Sequence, residues 1–200
     1  MPPTSAAEMS AEAVLEVLGQ TGALLSGHFE LRSGLHSDRF FQCANLLRFP
    51  DKAGQLCAAL VQRMHSVHGN AVGQVDAVIA PALGGIVVGH EVARALGTMS
   101  IFAEKVNDRL VLRRFTIKPG QRLLVAEDVI TRGGRVQETI DIVEQAGGIV
   151  AAVAVLVDRS GGKAAFRYPL TSLLEMEPVT WNPAECPLCR DGDMPVHPGS

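Results

Sequence analysis

Aromatic residues are scarce in this 200-residue chain, at 4%, with one Trp, one Tyr and seven Phe. Ala, Val, Leu and Gly dominate instead, which suits buried parallel strands under helices better than an all-β sandwich. No apolar run reaches the roughly 18 residues that a membrane span needs, so no membrane association is expected. Four cysteines do not make a disulfide scaffold, and a reducing, cytoplasmic setting is the expectation. Lys and Arg number 18 against 21 Asp and Glu, a formal net charge of -3. That balance excludes the strongly basic surface of a general nucleic-acid binder. The first residues, MPPTSAAEMSAEA, lack a basic stretch followed by an apolar one, so a signal peptide is not expected. With 47% hydrophobic and 20% charged residues, the chain has the composition of a single globular domain.

Residues 1–10 read as a frayed leader. Ser10 can cap a helix whose stripe is Val14, Leu15, Val17 and Leu18, closed by Gly19 and Gly22. HFELRSGLHSDRFFQ, residues 28–42, reads as a hairpin turning at Ser33-Gly34. Asp51 to His65 reads as a helix with Leu56, Ala59, Leu60 and Met64 on one face. Four apolar runs follow, at 77–80, 99–103, 123–126 and 149–157, with helical segments at 85–97 and 135–146. The charged stretch 105–118 alternates and reads as a ribbon or mobile loop. Strand and helix in alternation predict an α/β fold with a doubly wound, mainly parallel sheet, ligands binding at the strand C-termini. The last 20 residues are rich in Pro and Gly and predict an irregular tail.

Chemistry is expected first in LLVAEDVITRGGR, residues 123–135. A buried strand runs straight into Glu127-Asp128, and carboxylates at such a place are costly to desolvate unless something binds them. The glycine pair then permits a tight turn of N–H groups at the start of a helix, an anion site. Carboxylates beside a phosphate cradle suit a ribose 5-phosphate. A plain strand-to-helix turn with surface acids is the competing reading. The segment is neither a P-loop nor a dinucleotide fingerprint. APALGGIVVGHEVARALG, residues 80–97, repeats the logic at Gly84-Gly85, although Gly-Gly there also serves simple packing. Lys105, Arg109, Arg113 and Arg114 form a basic stretch able to screen a polyphosphate, or a solvated face.

EDVITRGGR resembles the phosphoribosyl-diphosphate loop of the type I phosphoribosyltransferases. LRSGLHSDRFF at 31–41, APALGGI at 80–86, FAEK at 102–105 and LVDRSGG at 156–162 make nearly the whole chain similar to the orotate phosphoribosyltransferases within that group. The tail, CPLCRDGDMPVHPGS, resembles a subgroup of them. The resemblance implies the type I fold, with a core over about 70–165 and a small hood from about 10–69 and 166–200. It implies transfer of the phosphoribosyl group from 5-phosphoribosyl 1-diphosphate to orotate, with Mg²⁺, in pyrimidine biosynthesis. Glu127 and Asp128 would hold the ribose hydroxyls and stabilise the cationic sugar. Val129, Ile130, Thr131, Arg132, Gly133, Gly134 and Arg135 would form the phosphoribosyl loop, with Leu83 and Gly84 at the diphosphate. Thr131 and Arg159 would meet orotate, with Phe40 and Phe41 near its ring, and Arg32 would stand where relatives often carry Lys. Lys105 and Arg109 would lie on a mobile loop closing over pyrophosphate, into the partner's site in a homodimer.

The chain departs from the family pattern in places. Relatives commonly carry small hydroxyl residues at the positions of Arg132 and Arg135, and one subgroup has Tyr-Lys in place of Leu83-Gly84. A regulator that senses phosphoribosyl diphosphate without catalysis is therefore an alternative, as is a purine phosphoribosyltransferase. Cys186 and Cys189 have CxxC spacing, but zinc wants four ligands and no second CxxC exists. His197, Asp191 and Asp193 lie nearby, and two tails meeting in a dimer could supply four thiolates. Plain reduced thiols are the favoured reading, and no metal ligands are assigned. Cys43 and Cys57 are expected in the core, and His36, in the SGLHSD turn, is the histidine of most interest.

Overall fold

The computed structural model describes residues 8–31 and 33–198. Helix α1, Ala11–Gln20, begins at Ser10, whose hydroxyl accepts from the Ala13 N–H at 3.3 Å, and buries Val14, Val17 and Leu18. Strands β1, Leu24–Glu30, and β2, His36–Phe41, form the expected hairpin, with the Gly34 N–H donating to Leu31 across the turn. A short helix α2, Ala44–Leu47, leads to α3, Pro50–His68. Leu56, Ala59, Leu60 and Met64 of α3 are buried, as their spacing predicts.

The main body is built from β3, Ala77–Pro81, α4, Gly84–Leu96, β4, Met99–Val106, and β5, Arg109–Val111. It continues through β6, Arg122–Ile130, α5, Gly134–Gln145, β7, Ile149–Asp158, and β8, Leu170–Glu175. These strands form one sheet of order β5-β4-β3-β6-β7-β8, parallel except for β5. Side chains alternate between its two faces. Val78, Leu124, Ala152 and Ala154 pack with α1, α3 and α4, whereas Ile79, Leu123, Val125 and Val153 pack with α5. Helices on both faces leave no polar face on the central strands: every residue of β3 is buried.

Chain order reverses between β3 and β6. From β3 the chain builds outward through β4, then returns past β3 to build the other way. That reversal opens a crevice at the C-terminal ends of β3 and β6. The stretch read as a ribbon or loop begins as one: Asn107 and Asp108, both at positive φ, join β4 to β5.

Two expectations change. The main sheet reaches Glu175, past the core limit placed near 165, because β8 pairs with β7 from Val153↔Leu170 to Asp158↔Glu175. The tail also has regular elements. Strand β9, Thr180–Trp181, adds to β2, a single 3-10 turn spans Pro183–Glu185, and α6 covers Pro187–Arg190. The three-stranded sheet β1-β2-β9 is the body of the hood.

Candidate active site

Glu127 and Asp128 sit near the end of β6, at the crevice. Glu127 is 3% exposed. One of its oxygens accepts from the Asp128 N–H at 3.1 Å, and the other is buried with no partner. Burial and, second, the charge of Asp128 push its carboxyl from an ordinary 4.5 up to about 9. Asp128 accepts from the Val129 N–H at 2.7 Å. Its other oxygen faces the opposite loop. A Cβ added at Gly84 would lie 2.6 Å from Asp128 Oδ2, and one at Gly85 would lie 3.1 Å from Glu127 Oε1. The two glycines are therefore the reason that the β3–α4 loop can close on the acidic pair.

Beyond Asp128 the chain splits its duties. Val129 and Ile130 turn their side chains to the two core layers. Thr131 and Arg132 are exposed, Gly133 is buried at φ 75°, and α5 starts at Gly134. A Cβ on Gly133 would meet Phe166 at 2.7 Å, so the turn needs glycine for both space and φ. Residues 127–136 line a depression of about 350 Å³. The first N–H groups of α5 have no preceding turn to bond and open toward it. Arg132 and Arg135 are both exposed on its rim.

A neighbouring cavity of about 710 Å³ shares Asp128 and Arg135 with the first, so the two are continuous. Its wall includes Leu83, Gly84, Phe102 and Lys105. Leu83 is 82% exposed and follows a cis Ala82–Leu83 peptide. Lys105 lines the cavity of its own chain, pairing with Asp108 at 2.8 Å. Arg109 is exposed at the start of β5 and lines neither cavity.

On the hood side, the Arg159 guanidinium lies over the Phe41 ring at 5.2 Å. Its Nε is buried without a partner, and burial lowers its pKa. A desolvated cation stacked on a ring and lacking a carboxylate is poised to take an anion. Phe40 packs against Phe29, centroids 5.8 Å apart, and lines neither cavity. The buried thiol of Cys43 lies where the charges of Asp128 and Arg159 both reach it; burial, more than either charge, holds its pKa well up. Arg32 lies outside the described residues.

Sequence reasoning missed Phe102 as a cavity wall, although it begins the FAEK segment. It also assigned no partners to the tail thiols. The fold brings His28 and His36 to Cys186 and Cys189, with the ligating atoms of all four within 4.8 Å of one another. That correction had no local signal, since the two pairs lie about 150 residues apart.

An acidic pair, an anion cradle at a helix start and an opposing glycine loop, all at the sheet's switch point, define the class: residues 51–190 match the phosphoribosyl transferase domain. The chain is 47% identical to an orotate phosphoribosyltransferase of Caldicellulosiruptor bescii, over 96% of this chain and 98% of that one. It is equally identical to one of Heliobacterium modesticaldum, over 96% and 99%. The crystal structure of orotate phosphoribosyltransferase from Aeropyrum pernix superposes with a TM-score of 0.67 at 25% identity, covering 82% of this chain and 94% of that one. The chain belongs to the orotate phosphoribosyltransferase family. No helix among the described residues is long and apolar enough to cross a membrane.

Proposed function

We propose that the chain transfers the phosphoribosyl group of 5-phosphoribosyl 1-diphosphate to orotate, giving orotidine 5′-phosphate and pyrophosphate. The observation that carries this reading is the acidic pair running directly into the glycine turn, beside a half-buried arginine whose Nε is buried without a partner. Ribose hydroxyls would donate to Glu127 and Asp128. The 5-phosphate would accept N–H groups from Thr131 to Arg135, with the positive end of α5 behind them. Orotate would place its carboxylate at Arg159, with Phe41 beneath the guanidinium and Thr131 nearby.

The chemistry then follows from charge. As the bond to diphosphate breaks, positive charge grows on the anomeric carbon, and the carboxylates below it stabilise that charge. A ring nitrogen of the already anionic orotate attacks, so no strong protein base is demanded. Lys105, on the cavity wall with Leu83 and Gly84, is placed to meet the departing diphosphate. An all-oxygen donor set that includes a buried, unpartnered Glu127 oxygen suits a hard cation. Mg²⁺ entering with the diphosphate would be held at Asp128 and Glu127, and when bound it neutralises charge on the leaving group.

We read the working unit as a cytoplasmic homodimer in which Arg109, turned away from its own cavities, reaches the partner's site. The direct test is loss of orotate absorbance on mixing the protein with 5-phosphoribosyl 1-diphosphate and Mg²⁺. Tight binding of the diphosphate with no orotate consumption would favour the sensing role, and turnover of adenine or hypoxanthine instead would favour the purine enzyme.

A further inference from the structure

The hood carries a cluster that phosphoribosyl transfer does not use. His28 lies on β1 and His36 opens β2, and their rings meet edge to face with centroids 4.8 Å apart. The tail approaches them from the other side. β9 pairs Trp181 with His36, and the chain then turns so that Cys186 and Cys189, three residues apart around α6, face the hairpin. His28, His36 and Cys186 are buried at 3%, 5% and 0% exposure.

We propose that His28, His36, Cys186 and Cys189 bind one zinc ion, which fastens the C-terminal tail to the hood. Distances between donor atoms support a shared centre. Nε2 of His28 lies 3.4 Å from Cys186 Sγ, 3.7 Å from Cys189 Sγ and 2.9 Å from His36 Nδ1. Cys189 Sγ lies 3.3 Å from His36 Nδ1. A tetrahedral ion with Zn–N near 2.05 Å and Zn–S near 2.3 Å requires N···S separations of about 3.6 Å and an N···N separation of about 3.3 Å. Four of the six donor separations thus lie within a few tenths of an ångström of those values, and all six are within 4.8 Å.

The surroundings agree with that role. The Asp193 carbonyl lies 3.0 Å from His28 Nδ1. Donation from Nδ1–H to that carbonyl fixes the tautomer and turns the Nε2 lone pair into the cluster, as the outer partners of metal-bound histidines do. Two thiolates and two neutral imidazoles give a neutral centre with the divalent ion, which a buried site tolerates. Binding releases the two thiol protons to solvent and changes no oxidation state. Nitrogen and sulfur donors select zinc over magnesium, and four protein ligands leave no open position for catalysis.

The tail itself supplies the reason for a metal. From 182 to 198, Cys186 is the one buried side chain among the described residues. Val196 trades backbone bonds with the hairpin, its N–H to His28 O at 2.8 Å and its O from the Glu30 N–H at 3.1 Å. His197 pairs with Glu30 at 2.9 Å, but its side chain is 71% exposed. So little apolar burial does not order a segment without a staple. The sheet so fastened carries Phe41, so on the reading of function given above the ion also stiffens the orotate wall.

The test uses the full chain without an affinity tag, purified without chelators from zinc-replete cells. Metal analysis should find about one zinc per chain, and Cys186→Ser, Cys189→Ser and His36→Ala should each hold under about 0.2. His197→Ala, just outside the cluster, should keep its zinc. Cobalt exchanged into the wild type should give tetrahedral visible bands with a thiolate charge-transfer band. Stripping zinc from the wild type should lower the melting temperature by about 5 °C or more, reversibly. That arm stands even if a variant fails to fold. Wild type that carries no zinc and takes up none would overturn the proposal, as would variants that keep full zinc. An inactive protein with one bound zinc would sink the transferase reading alone.

Discussion

Glu127→Gln separates the cost of holding this carboxyl from its use. Glu127 titrates near 4.5 when unfolded and near 9 in the folded protein. Between those values the folded state binds the extra proton, so stability is full below pH 4.5 and is lost as pH rises toward 9. Each pH unit in that window costs about 1.4 kcal/mol, so the loss reaches about 3 kcal/mol by pH 7. Glutamine fills the same space and carries no proton to hold. Melting temperatures of wild type and Glu127→Gln should therefore diverge as pH rises. At about 2–4 °C per kcal/mol for a chain of this size, the gap should grow by about 6–12 °C from pH 4.5 to pH 7. Turnover should meanwhile fall at least about 100-fold, since positive charge arriving with the substrate favours the ionised carboxylate, and an amide cannot ionise. Thermal scans by circular dichroism without substrates, beside the orotate absorbance assay, measure both. Parallel stability curves across this pH range would refute the argument, because the carboxyl would then not be held protonated by its surroundings.

Asp128→Asn should also cost orders of magnitude in turnover, and it should flatten part of the pH dependence of stability, because its charge is the second cause of the Glu127 shift; an unchanged pH profile would contradict this. Gly84→Ala would thrust a methyl to within 2.6 Å of Asp128 Oδ2, so kcat/KM should drop at least about tenfold while the melting temperature moves little; wild-type kinetics would count against the tight loop contact. Arg159→Lys loses the planar fork and the stacking on Phe41, and orotate KM should rise about 10- to 100-fold with smaller change in the KM of the diphosphate substrate; equal effects on both would reject Arg159 as the orotate ligand. Mixed dimers of Arg109→Ala with Asp128→Asn chains should recover activity, whereas Lys105→Ala with Asp128→Asn should not, because Lys105 and Asp128 line one cavity of one chain. The reverse pattern would exchange the roles of the two cations.

Much of the fold was legible because its strands are buried on both faces. The runs at 77–80, 123–126 and 149–157 needed no alternation to stand out, and glycine marked the helix ends next to them. Strand β8, LTSLLE, was not visible. It is short, it carries polar residues in its alternation, and its place is fixed by pairing with β7 rather than by local preference. The acidic pair and glycine turn were readable as a site because strand, carboxylates and helix start are contiguous. The hood cluster was not, for the opposite reason. CxxC spacing speaks for two ligands only, and the histidines that complete the set arrive through the register of a hairpin far away in the chain. The placement of Lys105 likewise depends on how β4 sits beside β3, which spacing cannot express.

The site holds two groups that burial disfavours, and they are opposite in sign. At the end of β6 burial and, second, the charge of Asp128 push the Glu127 carboxyl toward its protonated form, with one oxygen unpartnered. After β7, which pairs with β6 up to Ile130↔Asp158, partial burial desolvates the Arg159 guanidinium, whose Nε has no partner. A ligand that satisfies only one leaves the other uncompensated. On the proposed function, orotate would bring an anion to the arginine, and the ribosyl centre would bring hydroxyls and growing positive charge to the carboxylates. Adjacent strands therefore hold the nucleophile at one end of a charge gradient and the electrophile at the other. The same gradient that positions the pair in the ground state grows more favourable as the sugar becomes cationic, which is the condition for lowering a barrier rather than only tightening binding.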